Sequence, residues 1–304
     1  MIKILVSDQL SDEGLKILQQ EKMLQVDVKT DLKPDQLKEV IKDYEGLIVR
    51  SATKVTKDII EAATKLKVIG RAGVGLDNVD LDAATQKGII VMNTPAGNTI
   101  STAEHTFSML MALSRNIPQA TASTKKGEWK RSKFMGVELY GKTLGIVGLG
   151  RIGTEVAKRS LAFGMKILAY DPFLSKEVAE SLGIEIVDLN ELYERADYIT
   201  VHTPLTEDTK RMISTEAFGR MKKGVRMINC ARGGIIDENA LIQAIKDGIV
   251  SGAAMDVFEK EPYTGPLFEL DNILLSPHMG TFTQEAREAM ERDSVTNLVQ
   301  ALQR

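Results

Sequence analysis

The stretch Thr143-Leu-Gly-Ile-Val-Gly-Leu-Gly-Arg-Ile-Gly153 decides the fold of this chain. Its first five residues form a short apolar run, which is typical of a buried strand. Gly148, Gly150 and Gly153 follow with the spacing G-x-G-x-x-G, which serves a tight turn, the close approach of a pyrophosphate and helix-to-strand packing. Apolar positions after Arg151 recur at helical spacing, so the free N–H groups of a helix N-terminus would face the phosphates. The stretch therefore predicts a dinucleotide site.

A second apolar run, Lys166–Tyr170, ends in Asp171, 18 residues beyond Gly153. An acid at this distance accepts hydrogen bonds from the adenosine ribose, and its charge would repel the 2′-phosphate of NADP. No Arg or Lys follows before Lys176. We therefore predict NAD as the cofactor. A glycine-rich turn that packs a helix on a sheet is also compatible with the three glycines, and it does not exclude the cofactor.

The composition limits the class of protein. The chain has 304 residues, a formal net charge of −3 and one cysteine, Cys230. This length suits two domains, at about 150 residues each, and the charge shows no basic excess toward nucleic acid. No run approaches the ~20 apolar residues of a membrane helix, and the N-terminus becomes polar too soon for a signal peptide. We expect a cytoplasmic protein that binds neither nucleic acid nor membranes.

Strand and helix signals alternate along most of the chain, as they do in parallel sheets covered by helices on both faces. The expected strands are Ile2–Val6, Leu24–Val28, Gly46–Val49, Leu66–Ile69, Ile89–Met92, Thr143–Val147, Lys166–Tyr170, Ile184–Val187, Tyr198–His202, Arg226–Cys230, Ser251–Ala254 and Ile273–Leu275. Helices over Ser101–Ser114 and Gln284–Gln303 are expected to cross into a second domain and back.

The predicted fold class is α/β, with two doubly wound parallel-sheet domains. A Rossmann NAD-binding domain at residues 98–283 is expected to be inserted into a flavodoxin-like substrate-binding domain, formed by residues 1–97 and 284–304. Residues 117–142 do not fit the alternation. Their Trp129, Phe134 and Met135 are expected to be exposed beside a basic run, which indicates an arm that contacts another protein, although a solvated basic loop fits the spacing equally well.

Candidate catalytic residues follow the strands of the second domain, at the edge where open parallel sheets bind ligands. Hydride transfer from a 2-hydroxy acid needs a base, a carboxylate that orients it and a cation for the substrate carboxylate. His278, Glu261 and Arg232 supply these groups. Each has a structural alternative, namely a packed histidine, a solvated turn residue and a helix cap. Their combination beside a dinucleotide site favours catalysis.

The other two histidines and the cysteine are interpreted as structural. His202 ends a strand, and His105 lies on a helix with no evident polar cluster. Cys230 is interpreted as a small buried residue, because nothing near it suggests a nucleophile. No Cys/His spacing indicates a metal site, so no metal is predicted.

At these residues the chain resembles the D-isomer-specific 2-hydroxyacid dehydrogenases, and the resemblance covers essentially its whole length. The stretches that carry it are residues 46–54, 70–80, 141–153, 229–234, 256–262 and 276–278. The resemblance implies that Arg232 binds the substrate carboxylate, that His278 is the acid/base and that Glu261 pairs with His278.

The resemblance also implies the ligand contacts. Those to NAD are Gly148, Gly150, Arg151, Ile152, Gly153, Asp171, Thr203, Cys230, Ala231, Arg232, Asp256, His278 and Gly280. Those to substrate are Arg50, Ser51, Arg71, Asn98, Arg232 and His278, with Arg131 reaching the substrate of a neighbouring subunit. Arg50, Arg71 and Arg131 are more cations than an unphosphorylated acid needs, whereas a phosphate would use them.

Within the family, the resemblance implies NAD-dependent oxidation of 3-phospho-D-glycerate to 3-phosphooxypyruvate, the entry to serine biosynthesis. It also implies a homodimer formed through the arm at 117–142 and the NAD domain. The alternatives are a glyoxylate or hydroxypyruvate reductase or another D-2-hydroxyacid dehydrogenase, an NAD-sensing transcriptional corepressor and an inactive paralogue. The presence of Arg232, Glu261 and His278 disfavours the inactive paralogue. Long members of the family continue into serine-sensing domains. This chain stops at Arg304, so it is expected to be either a short form or a piece of a longer member, and inhibition by serine through such a domain is not expected.

Overall fold

The structure is a computed structural model that describes residues 1–303, with the side chains of residues 176 and 178 outside the description. The chain forms two compact units. The first consists of Met1–Thr99 and the segment from Thr281 onward, and the second is Ile100–Gly280. Within residues 1–303, no helix is both long and apolar enough to span a lipid bilayer.

The first unit is built on a five-stranded parallel sheet with the order β2-β1-β3-β4-β5, the flavodoxin-like order. Its strands are β1 Ile2–Val6, β2 Leu24–Val28, β3 Gly46–Val49, β4 Val68–Arg71 and β5 Ile90–Met92. Its helices are α1 Asp12–Gln20, α2 Pro34–Val40, α3 Lys57–Ala62, α4 Leu81–Gln86 and, from the end of the chain, α12 Gln284–Leu302.

Alternate residues of the central strands face two separate cores, one on each side of the sheet. On β1, Ile4 and Val6 join one core, whereas Leu5 joins the other. The first of these cores also contains Val295 and Leu298 of α12. The last helix therefore packs in the first unit and covers one face of its sheet.

The second unit is built on a seven-stranded parallel sheet with the order β12-β11-β10-β9-β6-β7-β8. Its strands are β6 Thr143–Val147, β7 Lys166–Tyr170, β8 Glu185–Ile186, β9 Tyr198–Val201, β10 Val225–Asn229, β11 Val250–Met255 and β12 Ile273–Leu275. Its helices are α5 Thr99–Arg115, α6 Ile117–Lys125, α7 Arg151–Ala162, α8 Lys176–Ser181, α9 Leu189–Arg195, α10 Thr215–Arg220 and α11 Glu238–Lys246. Both sheets confirm the predicted fold class.

The order in which successive strands are added changes direction at β6, which pairs with β7 on one side and β9 on the other. This is the order of a Rossmann sheet extended by one strand. At the carboxyl end of β6, Val147 lies between Tyr170 and Val201. Ligands of such sheets bind beyond this point, so the loops after β6, β7 and β9 to β12 form one edge where a site is expected.

Two expectations about local structure were wrong. The strand expected at Leu66–Ile69 lies at Val68–Arg71, because Leu66 packs into the core before strand pairing begins. Phe134 of the predicted arm is half-buried, whereas Trp129 and Met135 are 87% and 85% exposed. The arm itself contains α6 and a 3₁₀ turn at Arg131–Phe134.

Candidate active site

The glycine turn after β6 leaves open space in front of α7. Gly148 has a φ of +93°, and an added Cβ there would lie 2.9 Å from the carbonyl carbon of His202. A Cβ at Gly153 would lie 2.2 Å from the carbonyl oxygen of Gly148, so this glycine lets the helix pack on the turn. A Cβ at Gly150 would meet nothing within 4 Å. The helix N-terminus therefore opens onto space that a pyrophosphate would fit.

Asp171, directly after β7, lies at the rim of this turn. Its Oδ2 accepts a hydrogen bond from the Leu149 backbone N–H at 2.8 Å, and its Oδ1 accepts one from Phe173 N–H at 2.9 Å. Both bonds fix the carboxylate beside the glycines. In the first turn of α7, Arg151 is exposed and Ile152 is half-buried. The turn, the helix end and the acid together fit NAD.

We predict that alanine at Gly153 lowers stability, whereas alanine at Gly150 weakens NAD binding. Gly153→Ala should lower the free energy of unfolding by about 2 kcal/mol or more, because the new methyl group meets backbone. Gly150→Ala should leave stability within about 0.5 kcal/mol, yet weaken NAD binding at least about tenfold, since its methyl group enters the phosphate space. Thermal unfolding and calorimetric titration with NAD measure the two effects. Unchanged NAD affinity in Gly150→Ala would contradict this placement of the phosphate.

The candidate acid/base pair is formed in the second unit. His278 Nδ1 lies 2.8 Å from Glu261 Oε2, and Glu261 Oε1 accepts a hydrogen bond from Phe258 N–H at 3.1 Å. Because a carboxylate only accepts hydrogen bonds, the pair requires the proton on Nδ1 and leaves Nε2 able to accept another. The two side chains are 44% and 37% exposed, so a ligand can reach them.

Arg232 follows β10 in a turn that Asn229 holds. The buried Asn229 side chain donates from Nδ2 to the Arg232 carbonyl at 2.9 Å and accepts from Ala231 N–H at 3.0 Å. Arg232 Nη1 donates to the Ala231 carbonyl at 2.7 Å. A Cβ at Gly233 would lie 1.8 Å from the Phe258 carbonyl oxygen, so this turn packs directly on the segment that carries Glu261.

Asp256 lies fully buried after β11 and binds the segment around His278. Its Oδ1 accepts hydrogen bonds from Ser276 Oγ at 2.6 Å and Met279 N–H at 2.9 Å, and its Oδ2 accepts one from Gly280 N–H at 2.8 Å. His105 Nε2 lies 3.2 Å from Oδ1. Burial acts to raise the pKa of this carboxyl, but hydrogen bonds from His105, Ser276 and Met279 outweigh it and lower the pKa. The carboxylate is therefore charged.

The expectation that His105 has no polar cluster around it was wrong. Its partners Asp256 and Ser276 come from distant strands, so no local pattern marks them. The ligand atoms of His105, Cys230 and Asp256 lie within 4.8 Å of one another. Burial raises the pKa of the Cys230 thiol, and both Asp256 oxygens already accept hydrogen bonds. This arrangement suits a hydrogen-bonded cluster better than a metal site.

We predict that Cys230 is inert in the folded protein, because its thiol is buried and protonated. Reaction with a disulfide reagent should be at least about 100-fold slower than in denaturant, since only an accessible thiolate attacks. Absorbance of the released thiolate with and without guanidinium measures this ratio. Rapid modification of the native protein would contradict the burial.

Two further groups lie near the glycine turn. Burial lowers the pKa of His202 to about 4, and its Nε2 lies 3.0 Å from Thr200 Oγ1, which supports a neutral, structural histidine. Thr203 Oγ1 is buried and has no hydrogen-bond partner in the described part of the chain. An unsatisfied hydroxyl at the carboxyl end of β9 fits the predicted NAD contact.

The predicted substrate residues Arg50, Ser51, Arg71 and Asn98 belong to the first unit. Asp8 and Asn78 hold the backbone of Arg50, through bonds of 2.6 Å to its N–H and 2.7 Å to its carbonyl. Burial and then the charge of Arg287 lower the pKa of the Arg50 guanidinium, which stays charged. Its Nε lies 3.9 Å from Glu291.

The remaining substrate candidates differ in exposure. The Arg71 guanidinium occupies the space that a side chain at Gly73 would fill, since an added Cβ would lie 1.3 Å from its Nη1. Asn98 is buried, and its Oδ1 lacks a hydrogen-bond partner among residues 1–303. Ser51 is exposed, and so is Arg131 in the second unit, on the 3₁₀ turn.

Known proteins resemble this chain in sequence and in fold. Residues 107–280 match the family model described as D-isomer specific 2-hydroxyacid dehydrogenase, NAD binding domain. A crystal structure of a Thermus thermophilus protein superimposes with a TM-score of 0.92 at 36% identity, covering 99% of this chain and 97% of that one. The chain belongs to the D-isomer-specific 2-hydroxyacid dehydrogenase family. Residues 107–280 are therefore an NAD-binding domain, as the glycine spacing and Asp171 predict.

Two named members of the family indicate its range of substrates. D-lactate dehydrogenase from Aquifex aeolicus, crystallised with NAD and lactic acid, gives a TM-score of 0.87 at 32% identity and covers 99% of this chain and 95% of that one. D-3-phosphoglycerate dehydrogenase from Methanocaldococcus jannaschii is 57% identical over 291 residues, which are 95% of this chain and 55% of that enzyme. The chain spans about half the length of the curated relatives it matches.

Proposed function

We propose that the chain oxidises 3-phospho-D-glycerate to 3-phosphooxypyruvate with NAD, the first step of serine biosynthesis. The observation that carries the reaction type is the 2.8 Å contact between His278 and Glu261 in a unit that holds the family's NAD-binding domain. The choice of substrate is supported by the 57% identity to a phosphoglycerate dehydrogenase and by Arg50, Arg71 and Arg131.

In the proposed reaction, bound NAD supplies the acceptor for the hydride that leaves the carbinol carbon. His278 Nε2 takes the hydroxyl proton, because Nδ1 is already held by Glu261. The Glu261 carboxylate then stabilises the imidazolium that forms. Arg232 binds the substrate carboxylate. Asn229 fixes the turn that carries Arg232, and the bond from Nη1 to the Ala231 carbonyl orients the guanidinium. NAD contacts at Thr203, Cys230, Ala231, Asp256 and Gly280 remain part of the proposal.

The substrate phosphate is assigned to Arg50 and Arg71 of the first unit and to Arg131 of a neighbouring subunit. We propose a homodimer through the arm at 117–142, because Trp129 and Met135 expose large apolar surfaces there. Sedimentation analysis would reject it by finding a monomer at micromolar concentration. We also propose a cytoplasmic location, which the single buried thiol of Cys230 suits.

Arg131→Ala should raise the KM for 3-phospho-D-glycerate about tenfold or more, since it removes one charged partner of the phosphate. The dissociation constant of NAD should not change. Lys133→Ala is the matched control, because Lys133 is an exposed cation on the same 3₁₀ turn. Steady-state kinetics of both variants check the prediction. Equal effects of the two substitutions would indicate general attraction of anions and remove Arg131 from the site.

The test of the proposed function is a steady-state assay of NADH formation with 3-phospho-D-glycerate, D-glycerate and D-lactate. The expected kcat/KM for the phosphorylated acid is at least about 100-fold higher than for D-glycerate or D-lactate, because only the phosphorylated acid brings a phosphate for the arginines to bind. The reverse assay uses hydroxypyruvate and glyoxylate. Equal efficiency with both classes of acid would reject the phosphorylated substrate in favour of the reductase. Peptide binding without turnover of any acid would favour the corepressor.

A further inference from the structure

The segment Ser276–Gly280, called here the His278 loop, is fixed through its backbone. Asp256 accepts three hydrogen bonds from it, donated by Ser276 Oγ and by two backbone N–H groups, those of residues 279 and 280. From α5, Ser101 Oγ donates to the Gly280 carbonyl at 2.8 Å, in a buried position. None of these bonds uses the His278 imidazole. The network therefore sets where the loop lies, while Glu261 orients the ring.

His105, one turn after Ser101 on α5, contacts the same carboxylate from the helix side. Its Nε2 lies 3.2 Å from Asp256 Oδ1 and 3.3 Å from Ser276 Oγ. A ring nitrogen with a lone pair would be repelled by the carboxylate, so Nε2 must carry the proton and donate. The His105 side chain is 17% exposed and that of Asp256 is 1% exposed, so water competes little for this bond.

We propose that His105 is a positioning residue of the active site, which acts through Asp256 on the His278 loop. This inference rests on the proposed function, in which His278 is the acid/base. Without the His105 donor, Asp256 keeps its three bonds to the loop and Ser101 keeps its bond to Gly280, but the carboxylate loses its own bond to α5. The carboxylate and the part of the loop at Ser276 and Met279 can then shift together. Because the arginines that bind substrate lie outside this network, the shift affects turnover more than substrate affinity.

Three variants of the full chain test this role. His105→Leu removes the donor, whereas His105→Gln places an amide N–H close to the former Nε2 position. Ser114→Ala is the control for stability, because Ser114 lies buried on the same helix and bonds to the Leu110 carbonyl and the Tyr198 hydroxyl, away from the loop. The measurements are kcat, the KM values for acid and NAD, and hydrogen exchange of a peptide that contains the amides of residues 279 and 280.

We expect His105→Leu to lower kcat about tenfold or more, since a displacement near 1 Å costs up to ~100-fold, while the KM for the acid changes less than about twofold. Its loop amides should exchange faster. His105→Gln should stay within about threefold of wild-type kcat, and Ser114→Ala should lower only the melting temperature.

The proposal is overturned if His105→Leu changes neither kcat nor loop exchange, or if His105→Gln is as impaired as His105→Leu. It is also overturned if Ser114→Ala lowers kcat equally, since general destabilisation would then explain the loss. A wild-type chain that turns over none of the acids would reject the proposed function and the positioning role of His105 together. If the wild-type chain is active and His105→Leu has the same kcat and loop exchange, only the positioning role of His105 is rejected.

Discussion

Replacing His278 with glutamine is expected to lower kcat for 3-phospho-D-glycerate by about 10²- to 10⁴-fold, the usual contribution of a general acid–base group. The amide can accept a hydrogen bond from the substrate hydroxyl but cannot take its proton. NAD should still bind, because the packing of the glycine turn and the hydrogen bond from Leu149 N–H to Asp171 do not involve His278. Steady-state kinetics and calorimetric titration with NAD separate the two effects.

Glu261→Gln is the matched variant for this test. A glutamine has one oxygen, which can accept from the His278 Nδ1–H or from the Phe258 N–H, whereas Glu261 accepts from both. It also lacks the charge that stabilises the imidazolium. We expect a smaller fall in kcat, of about 10- to 100-fold. A His278→Gln variant that retains more than about a tenth of wild-type kcat would remove His278 from the acid/base role.

The contact between His278 and Glu261 could be predicted because of sheet geometry. Both residues follow strands of the same parallel sheet, β12 and β11, which are hydrogen-bonded neighbours. The carboxyl ends of parallel strands meet at one edge, so residues just after them are close whatever their separation along the chain. The same reasoning places Asp171, after β7, beside the glycine turn after β6.

Strand positions were predictable because these sheets are buried on both faces, so strands appear as continuous apolar runs. Leu66 shows the limit of this signal. It is apolar and buried but precedes the hydrogen-bonded part of β4. Hydrophobic residues indicate which positions are buried. Where β4 begins depends instead on its backbone pairing with β3, and the sequence of β4 alone does not show this pairing.

His105 and Asn229 could not be assigned from the sequence. The partners of His105 on β11 and β12 are brought to α5 only by folding. Asn229 lies within a matching motif, but its role depends on the turn that it closes around Ala231 and Arg232. The hydrogen bonds of both side chains go to neighbouring parts of the fold, and such contacts leave no periodic or compositional signal.

Arg232→Ala is expected to lower kcat/KM for 3-phospho-D-glycerate by about 10³-fold, because the proposed bidentate, charge-assisted hydrogen bonds to the substrate carboxylate are lost. Arg232→Lys keeps the charge but lacks the planar guanidinium with its two parallel N–H donors, so kcat/KM is expected to fall about 10- to 100-fold. The loss should appear with the acid as the varied substrate. A change confined to the KM for NAD would instead make Arg232 a cofactor residue.

Arg226 provides a control on the same strand. It lies near the start of β10, at the opposite edge of the sheet from Arg232, and its guanidinium lies 5.5 Å from the Tyr198 ring centre. Arg226→Ala removes the same charge from the chain and should cost some stability through lost packing, with kcat/KM unchanged within about twofold. If both substitutions reduced kcat/KM equally, the effect would come from overall charge or from β10 itself. The unequal result is expected because only Arg232 follows the carboxyl end of the strand, in the turn that Asn229 fixes.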